Sequence, residues 1–410
     1  MNQDPLVNTS HEHDIVIAGG GMAGASLAVG LARAGFDVAI IEAIDRSADH
    51  QPSYDDRTLV INRASLNILT NLGILDDSLP RCPIRHIDVT RAHGFGHVRL
   101  DAAEHGIDHF GAVVVARELG NRLLTCLAET GGITEYCPER LETFQVDDDK
   151  QEVSIRLASG TRIRTWLLVA ADGTGSSVRQ AAGIASTLHD YHQSAMIFNV
   201  MAHTNDNRAS NDTAHERFTP EGPLAFLPQP EGRYGAVWAG STDQIDRAMG
   251  WSDDELIARL EQRAATGFRH FSRPGKRARY PLKLLRTPVP IGKRVVCIGN
   301  AANTVHPVSA QGFNLGLRDV AGLIDALADA HDPGAPVWMA RYVQARKTDQ
   351  ADTVRYTDTL ARAFTNPSLP FRVGTGLGLA AHALLPGLKR RLVTSAMGFR
   401  EPISKLARER

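Results

Sequence analysis

Gly19, Gly21 and Gly24 stand in the run Gly19-Gly20-Gly21-Met22-Ala23-Gly24, which fits the pattern G-x-G-x-x-G. Alone that pattern is weak, and its chemistry depends on its neighbours. An apolar run, Asp14-Ile15-Val16-Ile17-Ala18, precedes it. A helical stretch from Met22 to about Ala34 follows, ended by Gly35, and a second apolar run from Phe36 to Ile41 closes on Glu42. Strand, glycine turn, helix and strand with a terminal acid make a βαβ unit that binds a dinucleotide. In such a unit Gly19 permits the tight turn and Gly24 lets helix and strand pack closely. Gly21 lets backbone approach a pyrophosphate at the positive end of the helix. Glu42 accepts hydrogen bonds from ribose hydroxyls and disfavours a 2′-phosphate.

The unit does not distinguish NAD from FAD, so two further segments matter. The buried run Leu167 to Ala171 leads into Asp172-Gly173-Thr174-Gly175-Ser176-Ser177-Val178-Arg179, an Asp-Gly-x-x-Ser-x-x-Arg pattern. Val295 to Ile298 leads through Gly299-Asn300-Ala301-Ala302 to His306-Pro307-Val308-Ser309-Ala310-Gln311-Gly312-Phe313-Asn314-Leu315-Gly316, then Arg318 and Asp319. This reads as strand, polar loop and helix start. Backbone N–H groups at such a start face an electron-rich ring edge or a phosphate.

These segments need elements to carry them. Residues 57–79 read as helix broken by Gly73, and 117–130 carry a helical stripe of Leu119, Leu123, Leu124 and Leu127. Strands at about 141–146, 152–158 and 161–171, joined by Asp147-Asp148-Asp149-Lys150 and Ser159-Gly160, form a meander. Further strands are expected at 194–201, 223–227 and 234–239, with 203–213 a polar loop. Residues 252–265 read as an amphipathic helix capped by Ser252, a helix runs from about Leu315 to Ala330, and 337–410 is mostly helical.

The bulk numbers exclude several classes. A chain of 410 residues with 43% apolar content buries a sizeable core in one large or two interleaved domains. Its 45 basic and 46 acidic residues balance to −1, which gives nucleic acid no purchase. Cys82, Cys126, Cys137 and Cys297 fit no zinc spacing and read as reduced thiols. His11 and His13 fall in a polar leader and read as solvated. Residues 1–13 lack a signal-peptide core, and no apolar run is long enough to span a bilayer, so a cytoplasmic location is expected.

Together the three motifs resemble the flavoprotein aromatic hydroxylases of the p-hydroxybenzoate hydroxylase fold, over about 14 to 400. Within them the chain is most similar to the ubiquinone-biosynthesis branch, on the side of the 2-octaprenyl-6-methoxyphenol hydroxylases. Glu216-Arg217-Phe218-Thr219 with Gly222-Pro223-Leu224-Ala225, Tyr191-His192-Gln193 and Gly312-Phe313-Asn314-Leu315-Gly316 support this. Asn300 departs from the family's usual Asp, which bonds a ribityl hydroxyl, and resembles this branch. Ala310 stands where glycine is usual.

The resemblance implies an α/β fold of the α+β kind: a Rossmann-like FAD-binding domain interleaved with a β-sheet substrate domain, and a helical C-terminus. The FAD domain would take 12–80, 110–185 and 290–340, the substrate domain 81–109 and 186–289, and the helical region 341–410. It implies FAD held by Gly19, Gly21, Gly24, Glu42, Arg57, Arg117, Asp172, Gly173, Gly299, Asn300, Gln311, Gly312 and Asn314. Asp172 and Gly173 would also meet NADPH (or NADH). Pro307 and His306 would lie near the flavin ring, and Phe226 and Trp238 are candidates to face the substrate, although core packing is the commoner role of buried aromatics. No side chain stands out as acid or base. The implied reaction inserts one oxygen of O2 into a prenylated phenol by way of a C4a-hydroperoxyflavin, a chemistry the cofactor carries. A tailed substrate implies contact with the inner face of the membrane and association with other ubiquinone-biosynthesis proteins. The apolar stretch 373–385 with Lys389-Arg390-Arg391 is a candidate to lie on a membrane or bind a partner, and equally a candidate to pack as a terminal helix against the core. A sister hydroxylase acting at another ring position or on a small phenol, a flavin-dependent prenyl reductase, and a non-enzymatic scaffold remain open.

Overall fold

A computed structural model describes residues 10–46, 54–92, 97–204, 211–264, 267–365, 387, 390, 393–394 and 396–409. Stretch 373–385, Lys389 and Arg391 lie outside them.

The apolar runs of the βαβ unit pair as parallel strands, Ser10–Ala18 beside Val38–Ile41, with helix Met22–Arg33 crossing between them. Arg162–Ala170 lies parallel on the other side of Ser10–Ala18, followed by Val295–Cys297. Ile133–Tyr136 closes the far edge, Ile291–Gly292 pairs antiparallel with Val295–Cys297 at the other, and the meander Leu141–Asp147 and Glu152–Leu157 adds antiparallel strands, making eight in all. Side chains alternate across this sheet. Ile15, Ile17, Val38 and Ile40 pack under helices Met22–Arg33, Ala116–Glu129 and Gly312–Leu327. Val16, Ala18, Ala39 and Ile41 pack under the meander. The strand begins earlier than the polar leader suggests. Residues 10–13 continue the register against 162–165, and His13 Nδ1 bonds Asp37 Oδ1 at 2.9 Å instead of standing in solvent.

A second sheet has nine strands, centred on the 18-residue strand Thr187–Thr204, which pairs with Ala278–Arg286 on one side and Arg233–Ser241 on the other. Gly222–Pro228 and Thr213–Thr219 follow, and His86–Arg91 joins in parallel. Helices Thr242–Met249 and Asp253–Arg263 cover its outer face, both started by capping boxes, at Ser241 and Ser252.

A three-stranded sheet, Thr58–Asn62, Gly111–Val115 and Cys82–Ile84, lies beside these. Residues 58–62 are therefore strand, not the helix expected over 57–79. The helix runs only over Arg63–Asn71, because Asn62 caps it by accepting from Ser65 N–H at 3.0 Å. At the other end of the chain, helix Pro336–Thr365 packs on Gly312–Leu327. The buried ion pairs Arg318–Asp349 and Arg346–Asp319, at 2.7 and 2.9 Å, join the two helices. Among the described residues no helix is long and apolar enough to cross a membrane.

Candidate active site

The glycine turn is fixed by contacts that leave no room for side chains. Gly19 has φ +109°, and a Cβ there would stand 2.5 Å from the Ala171 carbonyl oxygen. A Cβ on Gly24 would stand 2.0 Å from the Gly19 carbonyl oxygen. Glu42 clamps the turn: its Oε2 accepts from Gly20 N–H at 2.7 Å and its Oε1 from Ile44 N–H at 2.8 Å. Each carboxylate oxygen keeps a lone pair for a ribose hydroxyl. Tyr54, which carries no sequence signal, donates its hydroxyl to the Gly20 carbonyl at 2.8 Å. Gly21 precedes helix Met22–Arg33, whose first turn has no side-chain cap.

Asp172 follows the strand Arg162–Ala170. Its Oδ2 accepts from Ser177 N–H at 2.9 Å and Val178 N–H at 3.3 Å, starting helix Ser177–Ala181. Its Oδ1 is buried at the cavity wall without a partner among the described residues. Gly173, at φ +84°, has open space where a Cβ would be. Arg179 is buried and donates to Ala301 O at 2.8 Å and Thr174 O at 2.9 Å, so the second and third motifs are bonded to each other. Gly299, at φ +56°, donates its N–H to the buried carboxylate of Asp319 at 3.2 Å.

Asn300 lines the same cavity. It offers an acceptor oxygen where an aspartate would offer two and a charge. Asn300→Asp should therefore retain flavin, with bound flavin per chain unchanged within about twofold by absorbance.

The loop 305–311 turns tightly. Ser309 and Ala310 both adopt left-handed backbone, φ +65° and +49°, which explains why glycine is usual at the second of these positions. Helix Gly312–Leu327 then opens into the cavity with no side-chain cap, leaving its first N–H groups without intrahelical partners. Gln311 Oε1 is buried there without a partner among the described residues. Asn314 also lines the cavity, but its amide is already engaged. It accepts from Asn62 N–H at 2.9 Å and donates to Val60 O and Ala310 O, both at 2.8 Å. Its contribution is to tie the helix start to the neighbouring strand.

His306 is 1% exposed. Its Nδ1 accepts from Val308 N–H at 3.1 Å, so the neutral ring carries its proton on Nε2, which donates to Gln193 Oε1 at 3.3 Å. Tyr191 stands edge-on to the ring at 5.3 Å and donates to Asp358 at 2.8 Å. Burial pushes the imidazole down to about 4. A depressed pKa contributes stability that is present above the unfolded value of about 6.5 and is lost as pH falls through the folded one, on the order of 3 kcal/mol in all. Denaturant midpoints of His306→Gln should accordingly fall less steeply than wild type between about pH 6.5 and pH 4. A wild-type slope in the variant would contradict the buried neutral ring.

A cavity of about 960 Å3 joins these parts and reaches the inner face of the nine-stranded sheet. Arg57 lines it, with Nε 2.9 Å from Asp55 and the guanidinium 5.2 Å from the Tyr280 ring centre. Three sequence expectations need correcting. Arg117 does not line the cavity; its side chain is exposed and paired with Asp56 at 2.9 Å. Phe226 and Trp238 do not face it either. The cavity face carries Ala195, Ile197, Ala225, Val237 and Ala239, and the alternation of the strands sends Phe226 and Trp238 into the core on the other side. There Phe226 stacks with Phe271 at 5.2 Å and Trp238 lies against Trp251 at 5.6 Å.

These residues fit FAD. The close-approach glycine turn, the uncapped helix starts and the partnerless Asp172 and Gln311 oxygens supply what a pyrophosphate, a ribityl chain and a flavin ring edge would engage.

Residues 12–357 match the FAD binding domain family. The chain is 33% identical to ubiquinone hydroxylase UbiL of Rhodospirillum rubrum, over 94% of this chain and 89% of that one. It is 33% identical to 3-demethoxyubiquinol 3-hydroxylase of Escherichia coli, over 95% and 100%. The crystal structure of p-nitrophenol 4-monooxygenase PnpA from Pseudomonas putida superposes with a TM-score of 0.75 at 18% identity, covering 96% of this chain and 99% of that one, which shows the fold. Glycine turn, flavin cradle and sequence agree, and the chain belongs to the FAD-dependent monooxygenases that include the hydroxylases of ubiquinone biosynthesis.

Proposed function

We propose that this chain hydroxylates the ring of 2-polyprenyl-6-methoxyphenol, with O2 as oxidant and NADPH or NADH as reductant. The observation that carries the reading is the continuity of one cavity from the glycine turn, past Pro307 and the Gly312 helix start, to an apolar sheet face of small residues. The segments 12–80, 110–185 and 290–340 would hold FAD, 81–109 and 186–289 the substrate, and 341–410 the helical end of the chain. A prenylated substrate also places the protein at the inner face of a membrane, in reach of other enzymes of the same route.

When bound, FAD supplies oxygen activated for transfer to an electron-rich ring. The chain supplies the rest. Gly19, Gly21 and Gly24 admit the pyrophosphate, Glu42 the ribose, and Asp172, Asn300 and Gln311 the polar chain and ring edge. Ala225, Val237 and Ala239 exclude water and hold an aromatic ring flat against the sheet, with Pro307 on the facing loop.

A second reading, hydroxylation of a sister quinol ring, has the equal identity to the 3-demethoxyubiquinol enzyme in its favour. Purified protein given NADPH and a short-tailed 2-prenyl-6-methoxyphenol should consume O2 and yield a product heavier by one oxygen. Oxygenation of a demethoxyubiquinol analogue alone would favour the sister reading. Bound flavin that reduces a prenyl double bond without O2 uptake would overturn both, and a chain that binds no flavin would favour a scaffold.

A further inference from the structure

Most cavity carboxylates are committed to the backbone. Glu42 holds the glycine turn, Asp172 caps a short helix through Oδ2, and Glu139 accepts from Arg140 and Ser159 N–H. Glu216 differs. It sits opposite Ala225 in the antiparallel pair Thr213–Thr219 with Gly222–Pro228, and residues directly opposite share a face, so its side chain joins Ala225 on the cavity wall. Of its sequence neighbours, Arg217 lies opposite Leu224 and off the cavity, while His215, opposite Phe226 and against the Phe268 ring at 4.7 Å, is buried at the edge of the cavity wall.

From the strand His86–Arg91 it meets Val89, and from the loop opposite it takes the Ser309 N–H. From helix Pro336–Thr365 it faces Tyr356, which also bonds Ser309 and has Arg400 beyond it. His306, on the same loop, is neutral. Among the described residues no cation offsets the partial burial of Glu216, and its carboxyl is pushed up to about 7.

We propose that Glu216 is the catalytic base that takes the proton from the phenolic hydroxyl of the substrate, from the sheet wall facing the 306–310 loop. This rests on the phenol-hydroxylase reading above. The phenol O–H bond breaks and its proton passes to a Glu216 carboxylate oxygen. The freed oxygen pair pushes density into the ring, which attacks one oxygen of the activated O2; the new C–O bond forms as the O–O bond breaks, and the second oxygen leaves with that electron pair. The ring carbon then loses its C–H proton, which the departing second oxygen takes up on its way to water, and the first oxygen recovers its proton from Glu216. The electrons for reducing the second oxygen atom to water come from NADPH or NADH. A phenol titrates near 10, and a base near neutrality is matched to such a transfer at physiological pH.

The test uses the full chain with flavin bound. E216Q should lower kcat by about 100-fold or more. It should also erase the acid limb of the kcat/KM profile, which in wild type has its midpoint near pH 7. Without turnover, flavin-perturbation titrations should show wild type binding the phenol about tenfold more tightly than its O-methyl ether above pH 7, and E216Q binding the two alike. A more heavily fluorinated phenol that titrates well below 7 should recover most of the E216Q rate. If E216Q fails to hold flavin, the same phenol given to wild type should flatten the acid limb. A wild-type rate, acid limb and ether discrimination in E216Q, or an unaltered limb with the acidic phenol, overturns the assignment. Wild type that oxygenates no phenol overturns the functional reading instead.

Discussion

Gly24→Ala is expected to yield protein that is colourless, with bound flavin below about a tenth of wild type. The added Cβ would meet the Gly19 carbonyl oxygen at 2.0 Å and the Ala171 Cβ at 3.3 Å. The first contact is backbone, so no side chain can rotate away. Helix Met22–Arg33 must shift outward from Ser10–Ala18, and its first N–H groups leave the place where a pyrophosphate would sit. Overpacking of this kind costs about 1–3 kcal/mol where the structure can give, and more where it cannot. The flavin-to-protein absorbance ratio measures the outcome. A yellow, stoichiometric variant would sink the glycine turn as a pyrophosphate cradle.

Two adjacent residues should respond in opposite ways. Phe226→Ala removes a ring packed against Phe268 at 4.8 Å and Phe271 at 5.2 Å, and should cost about 3–5 kcal/mol of stability. The folded remainder should keep its KM, because Phe226 points away from the cavity. Ala225→Phe should shift the denaturant midpoint far less and lower kcat/KM by at least about 100-fold, since the new ring fills the part of the cavity where the proposed substrate ring would lie. Denaturant titration beside steady-state kinetics separates them. The reverse pattern would show that the two faces of the sheet have been exchanged.

That pair also marks where the sequence stops being legible. The βαβ unit could be read because its signals are local: two apolar runs, a glycine turn and an acid within about thirty residues. The Asp172 and Gln311 motifs could be read for the same reason, as strands running into polar loops. Which face of a distant strand meets the cavity is not local. It depends on the register of Gly222–Pro228 against Thr213–Thr219 and Arg233–Ser241, and of Thr213–Thr219 against His86–Arg91, a partner more than a hundred residues earlier. Choosing Phe226 and Trp238 for their aromatic rings picked the wrong parity. Glu216 was visible only as one letter of a family-like stretch, because its isolation from cations arises from tertiary packing. Tyr54 bonds the glycine turn from a segment with no pattern of its own. The strand Thr58–Asn62 was masked by the helix after it, although Asn62, three residues before Ser65, was a cap signal that could have placed the boundary.

The alternating wall has a consequence for descent. Ala195, Ala225, Val237 and Ala239 shape the compartment, while Met196, Phe226 and Trp238 hold the sheet to its covering helices. Mutations of the first set are felt by the ligand and those of the second by the fold, so selection acts on the two through different codons. Single substitutions in the first set are therefore expected to change what the compartment admits while leaving the stability of the sheet largely intact.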